Sequence, residues 1–336
     1  MRDYSIDILR SIGIIAILVT HVLPSEVVWQ FFDYNVCLIV FLSGVSYMMS
    51  SAKPNGGGYR SYVIKRAKRI LLPTWIFLVI YYAAIIMYYL VRGNLSTFNV
   101  GGMLKTFSLQ TGWYVWVMRV FLITALVAPF IKMMSEKSMK WTTIAVLMAI
   151  LICYEFLHID NNDSIGYYLS MTIPYIVIFT MGMIVNRFGR KEQFAMAILL
   201  MLIFAIEGIF VVRENGEFLC TNNYKNPPLL YFTSFGLGCS MLFWMLKDSI
   251  YKLAKKVKVD RIMAFIGSHT MWYYLLHIPV IMLAIHFPIG KIMQFVFTLV
   301  VTTAITYLFV QIIEKKIIPR IKSDVAKKNI KLIFLG

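Results

Sequence analysis

Apolar residues in this chain gather into ten long runs, at about 6–24, 34–51, 70–91, 113–134, 141–157, 168–187, 194–212, 229–247, 269–286 and 292–313. The runs are continuous rather than alternating. A helix needs roughly 17–25 apolar residues to cross the hydrocarbon core of a bilayer. Backbone polar groups in lipid must be satisfied within the segment, so runs of this kind fold as helices. Gly, Pro, Asn and charged residues punctuate the gaps, as in Lys53-Pro54-Asn55-Gly56-Gly57-Gly58 and Asn222-Asn223-Tyr224-Lys225-Asn226-Pro227-Pro228. No gap is long enough for a soluble domain, and no internal repeat is evident. The pattern predicts an all-α integral membrane protein with a bundle of about ten transmembrane helices. Residues 1–336 form a single membrane domain, with a helical core at about 6–313 and a basic tail at 314–336.

The polar residues between the runs set the orientation. Alternate gaps collect 27 of the 33 Lys and Arg residues, the remaining gaps hold five, and Arg119 lies inside a run. Lys and Arg accumulate on the cytoplasmic side of membrane proteins, so both termini are expected in the cytoplasm. Composition agrees: the chain is 60% hydrophobic and 15% charged, against about 45–50% and 25% in soluble domains. The net charge of +17 does not point to nucleic acid, because the basic residues form short stretches between apolar runs instead of one continuous face. Cys37, Cys153, Cys220 and Cys239 show no metal-ligand spacing, and no metal site is expected. The first run has no A-x-A cleavage site and carries charges of its own, so it reads as a retained helix.

Ionisable side chains inside a membrane helix cost about 2.5–3.5 kcal/mol each on insertion scales and usually face the bundle interior. The first run concentrates them as Asp7, Arg10 and His21. Arg10 and His21 are eleven residues apart, three helical turns plus about 20°, which puts them on one face about 16 Å apart along the axis. Asp7, three residues before Arg10, shares that face. A second cluster, Lys65, Arg66, Lys68 and Arg69, precedes the third run. It can anchor topology like any cytoplasmic loop, or its guanidinium forks can bind phosphates of a polyanionic donor. Arg119, Glu155 and Glu207 lie within runs, where a structural ion pair and acceptor binding are both open. Tyr273 and His277, four residues apart, share a helix face. His158, His269 and His286 fall at run ends, and the Trp and Tyr residues there, Trp113 among them, fit an interfacial aromatic belt.

These residues also carry a family resemblance. The run from Ile6 to His21, with Arg10, ten residues and then His21, is similar to the opening helix of the acyltransferase-3 family. Phe41-Leu42-Ser43-Gly44 resembles that family's Phe-Leu-Ser-Gly-Phe, with Val45 in the last place. Arg66-Ala67-Lys68-Arg69 resembles its Arg-x-x-Arg, followed by Pro73-Thr74-Trp75. Gly112-Trp113-Tyr114-Val115-Trp116 and Tyr274-Leu275-Leu276-His277-Ile278-Pro279 resemble two later motifs. The set runs in order through about residues 3–315.

The resemblance implies ten helices, a cytoplasmic acyl-CoA donor and an acceptor hydroxyl, usually on a glycan. It makes His21 the catalytic histidine, Arg10 its motif partner, and Arg66 and Arg69 part of the donor site. A neutral imidazole can remove the acceptor proton, or form an acyl-imidazole intermediate. The expected function is acetyl transfer from acetyl-CoA to an envelope or exported polysaccharide at the plasma membrane of a bacterium. No permanently bound cofactor is expected, and polysaccharide-biosynthesis proteins are expected partners. The competing reading is a transporter of a glycan intermediate. The Arg10–His21 stripe and the basic cluster favour the enzyme.

Overall fold

The computed structural model describes residues 3–51, 58–110, 115–157 and 164–335, and these contain no β-strand. The helices are α1 (Tyr4–Val22), α2 (Glu26–Phe32), α3 (Asn35–Ser51), α4 (Tyr59–Val91), α5 (Val100–Phe107), α6 (Trp116–Lys137), α7 (Lys140–Leu157) and α8 (Ser164–Ser170). They continue with α9 (Ile173–Ile184), α10 (Arg190–Asn215), α11 (Leu230–Met245), α12 (Lys247–Lys256), α13 (Asp260–Ser268), α14 (Thr270–Ala284), α15 (Lys291–Ile312) and α16 (Asp324–Ile330). Nine of the ten apolar runs each fall largely on one helix, and the run at 168–187 is divided between α8 and α9 by a turn at 171–172. Among the described residues, seven segments are long and apolar enough to cross a membrane: Tyr4–Val22, Glu26–Ser50, Tyr59–Val91, Trp116–Lys137, Gly166–Arg187, Arg190–Asn215 and Lys291–Arg320. Leu230–Met245 and Thr270–Ala284 are shorter apolar helices.

The gaps hold more structure than their punctuation suggests. Short helices α2, α5, α12 and α13 fill them, and α16 lies in the basic tail. Side-chain caps start several: Asp3 accepts the Ser5 N–H at 3.0 Å, Ser25 the Val28 N–H at 3.3 Å, and Asn99 the Gly102 N–H at 2.8 Å. Each satisfies a donor that a helix N-terminus leaves open. Helix α10 ends on Gly216 at φ 74°, the left-handed stop that glycine adopts at least cost.

The chain divides into two compact units. The first comprises Met1–Asn55 and Val127–Ala304. Its centre is α3, which packs against α1, α9 and α11. The closest approach is between α3 and α9: a Cβ on Gly44 would strike the Phe179 carbonyl, and one on Gly182 the Phe41 carbonyl. Small residues let membrane helices bring their backbones together, which strengthens dispersion contact where lipid gives no hydrophobic drive. Gly267 of α13 meets the Asp7 carbonyl of α1 in the same way.

The second unit comprises Gly56–Leu126 and Ile305–Gly336. Helix α4 starts eleven residues before its apolar run, so the basic cluster is itself helical. Pro73 has no N–H to return to the carbonyl of Arg69. One residue on, Thr74 Oγ1 bonds the Ile70 carbonyl at 2.7 Å. Trp75 and Tyr82 tie α4 to α5 through bonds to the Phe107 carbonyl at 3.0 Å and Thr106 Oγ1 at 2.9 Å. The tail residues Lys331–Leu335 pack on α4.

Candidate active site

Helix α1 is unbroken from Tyr4 to Val22, so the expected spacing of Asp7, Arg10 and His21 on one stripe holds. At the first end Arg10 Nη1 bonds Asp7 Oδ1 at 3.0 Å, and Nη2 bonds Ser46 Oγ at 2.7 Å. Ser46 lies two residues beyond Phe41-Leu42-Ser43-Gly44, so Arg10 joins that motif's helix to α1. Ser43 itself bonds back to the Ile39 carbonyl at 2.9 Å. Asp7 also lines a cleft of about 430 Å³ with Tyr251, Asp260 and Arg261.

At the other end of α1 the His21 ring meets His277 of α14, with centroids 5.2 Å apart and planes tilted by 42°. His21 is exposed, whereas His277 is completely buried. His277 Nδ1 lies 2.5 Å from the Tyr274 carbonyl. A carbonyl only accepts, so this bond places a proton on Nδ1, and in the neutral ring Nε2 keeps the lone pair. Tyr274 stacks obliquely on His277 with centroids 5.4 Å apart. The late Tyr-Leu-x-His-x-Pro segment and the opening helix, far apart in sequence, thus converge on one pair of imidazoles.

Several residues around this pair were not singled out from the sequence. Asp33, in the turn between α2 and α3, is completely buried and bonds Lys225 Nζ at 2.9 Å. Lys225 in turn acts electrostatically on His21. Asn35 Nδ2 donates to Thr20 Oγ1 at 3.4 Å, one residue from His21. Asp33 is the only acid between the first two long runs apart from Glu26. Lys225 counted only as one of the few basic residues on the sparse side.

The remaining expected site residues separate by position. Tyr273 is completely buried, and its hydroxyl has no hydrogen-bond partner among the described residues. Glu155 Oε2 accepts the Leu230 N–H at 2.8 Å, at the start of α11, where a carboxylate complements the positive helix end. Glu207, on α10, lies within electrostatic range of Glu155. Trp113 and His158 lie outside the described residues.

In the second unit, buried Arg119 donates to the Leu109 carbonyl at 3.1 Å. Leu109 has φ 59°, a left-handed conformation costly for a branched side chain, so Arg119 braces a strained turn. On α4, Arg66 and Arg69 are half-buried and three residues apart, and Lys65 and Lys68 are exposed on the neighbouring face. The Arg66 guanidinium lies 5.6 Å from the Tyr62 ring centroid.

No curated protein and no solved structure matches the chain. A family model described as an acyltransferase domain matches residues 3–311, which takes in the α1 stripe, the basic cluster and the α14 histidine together. The chain is therefore a membrane acyltransferase that belongs to the acyltransferase-3 family.

Proposed function

We propose that the protein transfers an acetyl group from acetyl-CoA to a sugar hydroxyl of a cell-envelope or exported polysaccharide, as a multi-pass protein of a bacterial plasma membrane. In this reading about ten helices span the bilayer and both termini are cytoplasmic, as the Lys and Arg imbalance supports. The observation that carries the reading is the His21–His277 pair, 5.2 Å between ring centroids, at the far end of the stripe that begins at Arg10. An exposed imidazole over a buried one suits proton transfer: the outer ring can reach a substrate, and the inner one limits how it turns.

His21 is the general base. It takes the acceptor hydroxyl proton as the oxygen attacks the thioester carbon, and gives that proton to the departing coenzyme A thiolate. Positioned acid–base catalysis of this kind contributes about 10²–10⁴-fold. Arg10 positions α1 against α3 through Asp7 and Ser46. Arg66 and Arg69, with Lys65 and Lys68 beside them, bind the coenzyme A phosphates, since a guanidinium fork matches phosphate oxygens.

The test is mass spectrometry of envelope glycans from cells carrying wild type or His21→Ala, with membrane abundance measured in parallel. Acyl groups should disappear while the polymer and the protein remain. Normal acylation in His21→Ala would remove the base. Loss of the whole polymer on deletion of the protein would favour transport of a glycan.

A further inference from the structure

The buried charges that this mechanism leaves unused gather beside its base. Asp33 is sealed, and the side chain of Lys225, which it binds, is 15% exposed. Lys225 comes from the segment between α10 and α11, which is independently fixed: the Thr221 N–H bonds Gln30 Oε1 of α2 at 3.1 Å. Two residues beyond Asp33, Asn35 reaches Thr20, the neighbour of His21. The turn that carries the carboxylate is thus tied by side chains to the His21 end of α1.

A buried ion pair adds little net stability, because desolvating both charges offsets their attraction. This pair has another use. An ammonium has three donors, and Asp33 occupies one of them. The carboxylate fixes the cation, whose ammonium also lies 5.9 Å from the Phe232 ring centroid.

Acyl transfer needs such a group. As the acceptor oxygen attacks, the new C–O bond forms, the hydroxyl proton passes to His21, and the carbonyl electron pair moves onto oxygen. We infer that Lys225 is a catalytic residue that stabilises this oxyanion, and that Asp33 is the positioning residue that aims it. Collapse of the oxyanion re-forms the carbonyl and breaks the C–S bond. The thiolate takes the proton held by His21, and Lys225 stays protonated throughout. A preorganised donor at a developing oxyanion is worth about 10²–10³-fold in kcat. The inference rests on the acyl-transfer reading above.

The experiment uses the full-length protein in nanodiscs, acetyl-CoA, and envelope glycan extracted from cells that lack the protein. Asp33→Asn with Lys225→Met removes both charges and strands neither. Its kcat should fall about 10²–10³-fold, with the acetyl-CoA KM within about threefold. Lys225→Arg should stay within about tenfold of wild type. The exchange Asp33→Lys with Lys225→Asp keeps an ion pair but moves the cation, and should be as slow as the neutral pair. A purely structural latch gives the opposite result: the neutral or exchanged pair recovers wild-type kcat, and that overturns the inference. Should the neutral pair not fold, the exchange and Lys225→Arg decide alone, since a slow Lys225→Arg or an active exchange refutes it. His21→Ala in the same assay separates the two levels. An inactive His21→Ala with an active neutral pair sinks only the role of Lys225, whereas an active His21→Ala sinks the acyl-transfer reading itself.

Discussion

Removing the Arg10 guanidinium tests whether the opening motif works through the scaffold. The Asp7 side chain is 3% exposed and lies 3.0 Å from Arg10 Nη1, whose own side chain is 24% exposed. Arg10→Leu strips the cation from a buried carboxylate and cuts the 2.7 Å bond to Ser46. Breaking a buried pair from one side costs about 3–5 kcal/mol. The partial exposure of Arg10 puts the expected value near the lower end. Asp7→Asn in the same chain removes the stranded charge and should return roughly 2 kcal/mol, a coupling in the range of residues in direct contact. The assay is thermal unfolding of detergent-purified single and double variants, followed by tryptophan fluorescence, with acetyl transfer measured on the folded fraction. The double variant should melt above Arg10→Leu and recover transfer to within about tenfold. Two outcomes refute the reasoning. Additive melting shifts, within about 0.5 kcal/mol, would mean that the pair is not coupled. Restored stability without restored transfer would put Arg10 in contact with substrate.

Three other expectations concern separate parts of the molecule. Arg66→Ala with Arg69→Ala should raise the acetyl-CoA KM at least about tenfold, since each lost charge-assisted bond costs about 1.5–3 kcal/mol. Arg→Lys at both positions should rescue only part of this, and Lys65→Ala with Lys68→Ala, on the exposed face, should change KM less than about threefold; an unchanged KM in the arginine pair would return the cluster to topology anchoring. Gly44→Ala and Gly182→Ala should each destabilise by about 1–3 kcal/mol, because the new methyl meets backbone carbonyl, whereas Gly290→Ala, with nothing within 4 Å of its Cβ position, should melt like wild type. Single cysteines at Asn94 and Gly216 should react with an impermeant thiol reagent on intact cells, and those at Lys65 and Lys256 should not. Reversed labelling would put the basic cluster on the wrong side for a cytoplasmic donor.

The long apolar runs made the helices legible, because a segment that must satisfy its own backbone in lipid has one economical conformation. The short helices were hidden for the opposite reason. Lys247–Lys256 and Asp260–Ser268 are too polar and too brief for hydropathy to separate from a loop, and tertiary contact decides them. The Arg10–His21 stripe could be read because both residues lie on one helix with fixed geometry. The pairing of His21 with His277 could not, since no periodicity links residues 256 positions apart. Arg10 looked like a partner of His21, yet its bonds go to Asp7 and Ser46, and Ser46 sits just past the tetrapeptide that drew attention to Ser43. Asp33 and Lys225 escaped notice because an isolated charge in a gap looks like surface until a second gap folds over it.

The glycine contact between α3 and α9 has a mechanical consequence. Helices separated by side chains can slide, because rotamers re-pack as they go. Two backbones in contact through Gly44 and Gly182 have no such slack: a shift of one residue in either direction brings Ser or Val, or Met, into the space that glycine left. The contact acts as a detent that fixes the depth of α3 against α9. Ser46 and Asn35 ride on α3, so the two ends of α1 inherit that depth, and His21 is held at a set level.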